Sequence, residues 1–242
     1  MKIIVLQHIK IEDPGYLKDL MLKDNVDLKT IELDEGETIP KDLSIYDAMF
    51  CMGGPMDTWM EKDYPWLIDE KKRIKEFVVD LKKPYLGFCL GCQLLGEAVG
   101  GSVVKSKSPE IGMLNINFSD NKKSDLLFNE FPSQIKSLQW HSYEVKELDK
   151  IKDITLLASS PETKYQIFKY QNHAYGIQFH IEIKDTTVGE WGCVPEYKSA
   201  LEKQLGQGAL EKFDLDAKNN MSNMNKYSKI LYENFKKLLK TL

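Results

Sequence analysis

The segment Pro84–Gln93 reads PYLGFCLGCQ, and its pattern indicates how this part of the chain folds. Residues 84–88 are small or apolar, as in a short strand that is buried on both faces. Residues 90–99 read as a helix, which a following pair of glycines would end. Cys89 lies at the junction, so the segment predicts a sharp strand-to-helix turn with a cysteine at its apex.

The chain before this segment alternates between strand-like and helix-like patterns. Apolar residues at 74, 77, 78 and 81 follow the i, i+3, i+4, i+7 spacing of an amphipathic helix. Strands that alternate with helices predict a parallel sheet with helices on both faces. The predicted strands are 3–6, 28–33, 46–52 and 84–88, and predicted helices begin at Tyr16 and Leu67.

After Gly101, strand-like runs follow one another closely without intervening helices. They are residues 102–104, 113–118, 137–139, 154–158, 165–170 and 174–179, with a hairpin turn predicted at 171–173. The chain from Glu196 onward is helical and polar, and an apolar stripe near its end predicts that this tail packs against the body. We therefore predict a single domain over residues 1–242, with a core over 1–183 and a C-terminal helical extension over 184–242.

The composition is that of an ordinary globular protein and argues against several classes. The chain has 242 residues, of which 42% are hydrophobic and 29% charged. The net charge is −4 and no basic block stands out, which argues against nucleic acid as the main partner. The N-terminal apolar run is too short for a signal peptide or a membrane span. Four cysteines in such a chain form no disulfide scaffold, so we predict a cytoplasmic protein that binds no membrane.

The glycines around Cys89 help to separate the possible roles of its C-x-x-C pair with Cys92. Gly87-x-Cys89-x-Gly91 is the nucleophile-elbow pattern with cysteine in place of serine. The glycines let neighbouring backbone pass close by, and the helix N-terminus favours a thiolate. A redox pair would not need these glycines. A zinc site would need two more ligands, and the two other cysteines, Cys51 and Cys193, stand singly without the spacing of a zinc motif. The pattern favours an elbow with Cys92 as a packing residue, while a redox pair, a metal site and a buried structural cysteine remain alternatives.

A thiol nucleophile is helped by a neighbouring base. The candidates are His8, His141, His173 and His180. His173 lies in the predicted hairpin turn, where we expect it to be exposed. His180 ends the strand YGIQFH at the carboxyl edge of the sheet, where the elbow also opens. Glu182 follows two residues later and is suited to fix the tautomer of His180, which makes this pair the preferred partner of Cys89.

Four blocks of sequence carry a resemblance to a known family. They are CMGGPMDTW (51–59), PYLGFCLGCQLLGEAVGG (84–101), LQWHSYEV (138–145) and LLASSPETKYQIFKYQNHAYGIQFHIEI (156–183). Together they resemble the class I, or triad, glutamine amidotransferases, and among these the stand-alone, GMP-synthase-like members. The resemblance implies a flavodoxin-like, three-layer α/β sandwich around a mostly parallel sheet. It also implies hydrolysis of glutamine to glutamate and ammonia through a γ-glutamyl thioester.

The resemblance assigns roles to individual residues. It makes Cys89 the nucleophile, His180 the general base and acid, and Glu182 the carboxylate that orients His180. The backbone N–H groups of Gly54 and Leu90 would form the oxyanion hole. The implied substrate contacts are Gly53, Gln93, His141, Ser142 and Tyr143. The resemblance implies neither a metal nor a cofactor.

Two departures from the family pattern leave the subgroup open. The family usually reads FHPE, and here Ile181 replaces the proline, which we expect to loosen the turn between His180 and Glu182. Ser142-Tyr143 stands where GMP-synthase-like members tend to have Gly-Asp, and serine there also occurs in the anthranilate-synthase branch.

Residues 184–242 are too few for the ATP-pyrophosphatase domain of GMP synthetase and contain no Ser-Gly-Gly phosphate loop. The ammonia would then go to a synthetase subunit on a separate chain. Alternatively, the protein is a γ-glutamyl hydrolase or peptidase that acts alone on a γ-glutamyl compound, or a binding protein without activity.

Overall fold

The computed structural model describes residues 1–241, which contain nine strands in one continuous sheet. The strands are β1 (Lys2–Gln7), β2 (Asp27–Glu32), β3 (Ala48–Cys51), β4 (Tyr85–Phe88), β5 (Ser102–Phe118), β6 (Gln134–Lys146), β7 (Ile154–Ser159), β8 (Ile167–Tyr170) and β9 (Ala174–Ile177). Their spatial order is β2-β1-β3-β4-β9-β8-β7-β5-β6.

One half of the sheet is parallel and is covered by helices on both faces. It consists of β2, β1, β3, β4 and β9, whose carboxyl ends therefore meet at one edge. Ile3 and Val5 of β1 face the core under α1 (Gly15–Lys23), whereas Ile4 and Leu6 face α2 (Trp66–Lys75) and α3 (Leu90–Ala98). Burial on both faces explains why these strands are continuous apolar runs. The predicted helix at 67–81 is present, although its last turn, Glu76–Asp80, is π-helical.

The other half of the sheet, β8, β7, β5 and β6, is antiparallel. The separate strands predicted at 102–104 and 113–118 are wrong, because both belong to the long strand β5. The intervening residues, KSKSPEIG, are mostly polar and contain a proline and a glycine, so they read as a loop. The pairing with β6 continues on both sides of a register shift between Lys105 and Glu110. The predicted hairpin turn at 171–173 is present, with Tyr170 paired to Ala174.

The C-terminal extension forms three helices within the described residues, α4 (Thr187–Trp191), α5 (Pro195–Leu205) and α6 (Ala209–Leu239). The predicted apolar stripe of α6 packs on the sheet through Leu231, Phe235 and Leu238, which are buried. The aromatic rings of Trp140, Trp191, Tyr197 and Phe213 join α4, α5 and α6 to β6. The extension thus covers the sheet beside the carboxyl edge of the parallel strands. The last residue of the predicted extension, Leu242, lies outside the described residues.

Helices on both faces of the sheet give the three layers that were predicted. The single domain over the whole chain stays a prediction, which the one continuous sheet supports. Within residues 1–241, no helix combines the length and the apolar character that a membrane crossing requires.

Candidate active site

Cys89 lies between the last residue of β4 and the first residue of α3, at the carboxyl edge of the sheet. Its backbone has φ 50° and ψ −102°, a strained conformation for a residue with a side chain. Its N–H donates to the carbonyl of Ile177 at 2.9 Å, which ties the turn to β9. The backbone therefore makes the sharp turn that the elbow pattern predicts, and it leaves Cys89 only 6% exposed.

The glycines on either side of Cys89 allow backbone to approach backbone. A Cβ atom built on Gly87 would overlap the carbonyl oxygen of Gly91. A Cβ atom built on Gly91 would overlap the carbonyl oxygen of Cys51, in β3. The turn fits against its neighbouring strand only because neither position carries a side chain.

Replacing Gly91 with alanine is expected to lower the free energy of unfolding by about 3 kcal/mol, the upper range for overpacking, because the backbone of β3 cannot easily shift. Urea titration followed by circular dichroism measures this change. Gly189→Ala is the matched control, since nothing lies within 4 Å of a Cβ atom built there. Equal stability of the two variants would contradict the close approach at Gly91.

The imidazole of His180 and the carboxylate of Glu182 form a buried pair. Nδ1 of His180 lies 2.7 Å from Oε1 of Glu182, and both side chains are at most 3% exposed. Burial disfavours the charged imidazole and by itself would lower the pKa of His180. This effect is outweighed by the charge of Glu182, by hydrogen bonds to Cys89 and Glu182, and by the charge of Cys89, so the pKa of His180 lies well above its ordinary value. The structure thus brings Cys89, His180 and Glu182 together.

The backbone around His180 is held on two sides. Its N–H donates to the carbonyl of Leu138 at 2.9 Å, and its own carbonyl accepts from the hydroxyl of Ser137 at 2.7 Å. Ile181 does not loosen the turn, contrary to the expectation from the sequence. Its N–H donates to Oε2 of Glu182 at 2.9 Å, a hydrogen bond that a proline could not make.

A cavity of about 310 Å³ opens beside Cys89. It is lined by Gly54, Pro55, Met56, Asp57, Met60, Tyr64, Leu90, Gln93, Trp140, His141, Ser142, Tyr143, Glu196, Tyr197 and Ala200 as well as Cys89. A Cβ atom built on Gly54 would lie 3.0 Å from Cδ2 of Leu90, so the two predicted oxyanion residues are neighbours. Leu90 is the first residue of α3, where backbone N–H groups have no acceptor within the helix.

Four of the five predicted substrate contacts line this cavity, and Gly53 does not. Nε2 of Gln93 lies 3.2 Å from the carbonyl of Tyr143, and Nδ1 of His141 lies 2.9 Å from the same carbonyl. These two side chains therefore hold the backbone of residues 141–143 at the cavity wall. Gly53 lies behind the wall, where its carbonyl oxygen is 2.7 Å from Nδ1 of His8.

His8 belongs to a second buried cluster, beneath the cavity. Its Nε2 lies 2.8 Å from Oε1 of Glu70, which also accepts from the thiol of Cys51 at 3.4 Å. Burial opposes protonation of His8, but Glu70 and the hydrogen bonds to Glu70 and Gly53 outweigh it and raise its pKa. Both ring nitrogens thus face oxygen atoms, of Gly53 and of Glu70. The ligand atoms of His8, Cys51 and Glu70 all lie within 4.8 Å of one another, and the imidazole joins this cluster to the carbonyl of Gly53.

The prediction that His173 is exposed is wrong. Its side chain is buried, and Nε2 lies 2.9 Å from the carbonyl of Val78. The π-helical turn Glu76–Asp80, which follows α2, packs over the hairpin turn, a contact between segments 95 residues apart. Burial lowers the pKa of His173.

The sequence reading missed two residues at the site, Glu12 and Tyr197. Glu12 is 2% exposed and accepts a hydrogen bond from the hydroxyl of Tyr197 in α5. The only sequence signal for Glu12 is its place shortly after β1, a parallel strand whose carboxyl end lies at the edge that carries the site. Nothing in the pattern of α5 distinguishes Tyr197 from an ordinary apolar stripe residue.

Comparison with known proteins gives consistent matches. The family model "Glutamine amidotransferase class-I" matches residues 16–191. One of the subunits of the glutamine-hydrolyzing GMP synthase from Sulfolobus acidocaldarius is 30% identical over 180 residues, which are 72% of this chain and 88% of that protein. A glutamine amidotransferase from Thermotoga maritima, of known crystal structure, superposes with a TM-score of 0.85 and 26% identity over 99% of this chain and 98% of that one.

The fold and the matches define an amidohydrolase built on an α/β sandwich. More specifically, the chain belongs to the class I glutamine amidotransferase family. Glutamine hydrolysis is therefore its class of reaction. The matched Thermotoga maritima structure spans nearly the whole chain, so the likeness includes the C-terminal helices.

Proposed function

We propose that this protein hydrolyses the side-chain amide of glutamine to glutamate and ammonia, with Cys89, His180 and Glu182 as a catalytic triad. The observation that carries the proposal is the strained turn at Cys89, which lines the cavity and is hydrogen-bonded to the buried pair of His180 and Glu182. The family gives the class of reaction, and this geometry supports the assignment of its residues.

In the acylation step, Sγ of Cys89 attacks the amide carbon of glutamine, and the thiol proton is held by His180. The negative charge on the amide oxygen is stabilised by the N–H groups of Gly54 and Leu90. His180 then gives its proton to the amide nitrogen, the C–N bond breaks, ammonia leaves, and a γ-glutamyl thioester remains on Cys89.

In the deacylation step, a water molecule gives a proton to His180 and attacks the thioester carbon. The C–S bond breaks, glutamate leaves, and the proton returns to the sulfur. Glu182 keeps Nδ1 of His180 protonated throughout, so that Nε2 exchanges the proton with the reacting atoms.

The test is alkylation by a glutamine analogue that carries an electrophilic diazoketone at the amide position, followed by peptide mass spectrometry. Cys89 is expected to be labelled, with the other three cysteines unlabelled, and glutamine is expected to protect it. Cys193 provides an internal control, because it is exposed but distant in sequence from the elbow. Labelling of Cys193 in preference to Cys89 would contradict the proposal.

We propose further that the ammonia acceptor binds to a separate polypeptide. The Sulfolobus acidocaldarius relative is named as one subunit of a GMP synthase, and this supports a two-chain arrangement. Glutamine hydrolysis is then expected to accelerate when the synthetase chain from the same cell is added with its substrates. An unchanged rate with every synthetase tested would exclude the two-chain arrangement.

A second candidate function is the hydrolysis of a γ-glutamyl amide larger than glutamine. Asp57 and Glu196 border the cavity, and within residues 1–241 no lysine or arginine does. Burial raises the pKa of Asp57 to about 6, so this carboxylate is charged above neutral pH. Such a cavity fits a leaving group with an ammonium ion better than one with a carboxylate.

Side-by-side assays of glutamine, γ-glutamyl-ethylenediamine and γ-glutamylglycine distinguish the two functions. The second candidate predicts the highest kcat/KM for the ethylenediamine conjugate and the lowest for the glycine conjugate. A strong preference for glutamine over both conjugates would exclude it.

A further inference from the structure

Glu12 places a second carboxylate next to the imidazole of His180. Its side chain comes from the loop after β1, and the hydroxyl of Tyr197 donates to Oε1. A Cβ atom built on Gly53 would overlap Oε2 of Glu12 and would lie 3.3 Å from Cε1 of His180. The second oxygen and the edge of the imidazole therefore border the same small space, which exists because residue 53 has no side chain.

The loop that carries Glu12 is held in place by the C-terminal extension. Nε1 of Trp191 donates to the carbonyl of Ile11 at 3.2 Å, and the ring of Trp191 meets that of His180 edge to face, with 4.7 Å between centroids. Tyr197 both holds Glu12 and lines the cavity. Helices α4 and α5 thus contact the loop and the imidazole together.

The charge of Glu12 is sensitive to pH in the neutral range. Four titratable groups face it, namely His180, Tyr197, His8 and Glu182. Burial is the largest effect and raises the pKa of Glu12 to about 7, with His180, Tyr197 and His8 opposing it and Glu182 adding to it. Glu12 is therefore mostly neutral at pH 6 and mostly negative at pH 8.

We propose that Glu12 is a positioning residue of the active site, whose carboxylate, held by Tyr197, stabilises the protonated imidazole of His180 together with Glu182. This inference rests on the role of His180 in the proposed function. A carboxylate near the imidazolium strengthens its hold on the proton until the leaving nitrogen takes it. Because Glu12 comes from the loop after β1 and Tyr197 from α5, the proposal extends the site to residues outside the family match at 16–191.

The sign of the effect follows from these charges. Above pH 7, ionised Glu12 adds a negative charge beside His180 and raises the pH at which the imidazolium loses its proton. Glu12→Gln is neutral at every pH, so His180 is expected to deprotonate about one pH unit lower, the smaller end of the range for a charge at 4–6 Å. The wild-type protein is also expected to show an inflection near pH 7 in the His180 signal, and the variant is expected to lack it.

The experiment is an NMR titration of protein labelled with ¹³C at the histidine Cε1 positions. The His180 signal is assigned as the one that is absent from His180→Asn. Asp13→Asn is the matched control, because it removes a carboxylate from the same loop whose partners are Lys18 and the N–H of Gly15. The control is expected to titrate like the wild type.

Identical His180 titrations in wild type and Glu12→Gln would overturn the proposal. If Glu12→Gln does not fold, Tyr197→Phe decides instead, since it removes the hydroxyl but keeps the ring. The carboxylate then loses a donor, and the inflection is expected to move above pH 7, whereas an inflection at unchanged pH overturns the proposal. The titration needs no substrate, so a failure of glutamine hydrolysis would be recognised separately.

Discussion

Replacing Cys89 with alanine is expected to reduce kcat for glutamine hydrolysis by about 10⁴-fold or more, to the background of the assay. The proposed reaction passes through a thioester on this sulfur, and no other described cysteine lines the cavity. The measurement is ammonia release, coupled to glutamate dehydrogenase, with circular dichroism to show that the variant is folded.

Cys92→Ala is the matched control for this experiment. Cys92 lies one helical turn further into α3 and is fully buried, with burial and the neighbouring Cys89 raising the pKa of its thiol well above the ordinary value. Its sulfur packs 2.9 Å from the position of a Cβ atom built on Gly176. Its removal is expected to cost about 1 kcal/mol of stability and to leave kcat within about twofold. Full activity in Cys89→Ala, or none in Cys92→Ala, would contradict the elbow assignment.

Replacing His180 with asparagine is expected to lower kcat by about 10³-fold, with a much smaller change in KM. The imidazole is proposed to move the proton in both steps, and general acid–base catalysis contributes roughly 10²- to 10⁴-fold. Asparagine keeps a polar group near Glu182, but its amide neither accepts nor releases a proton near neutral pH. Steady-state kinetics at pH 7.5 measure the effect.

His173→Asn is the control for His180→Asn. His173 is also buried, but its Nε2 lies 2.9 Å from the carbonyl of Val78, whereas His180 is hydrogen-bonded to Cys89. This substitution is expected to affect stability rather than kcat. An equal loss of kcat in the two variants would mean that the effect on His180 is structural rather than catalytic.

The elbow could be predicted from ten residues because its requirements are local. A buried strand, a helix start and glycines two residues to either side of Cys89 are all visible along the chain. The same holds for the pair of His180 and Glu182, which are two residues apart. The long strand β5 could not be predicted, because its polar middle is ordered by pairing with β6 rather than by its own residues.

Two residues that the sequence did not reveal, Glu12 and Tyr197, and one that it placed wrongly, His173, are positioned by contacts between distant parts of the chain. Glu12 meets Tyr197 across 185 positions, and His173 is covered by Val78 across 95. The hydrophobic periodicity of the sequence shows neither that these side chains are buried nor which residues they contact. They depend on how loops and the extension fold over the carboxyl edge of the sheet.

The local sequence therefore specified the sharp turn at the cysteine and the alternation of strands and helices in the parallel half of the sheet. It also specified the family to which the chain belongs. Only the tertiary structure decided that Glu12 joins Glu182 beside the imidazole and that α4 and α5 help to build the site. The physical reason is that backbone geometry follows from nearby residues, whereas the electrostatic environment of a buried group depends on every segment that excludes water from it.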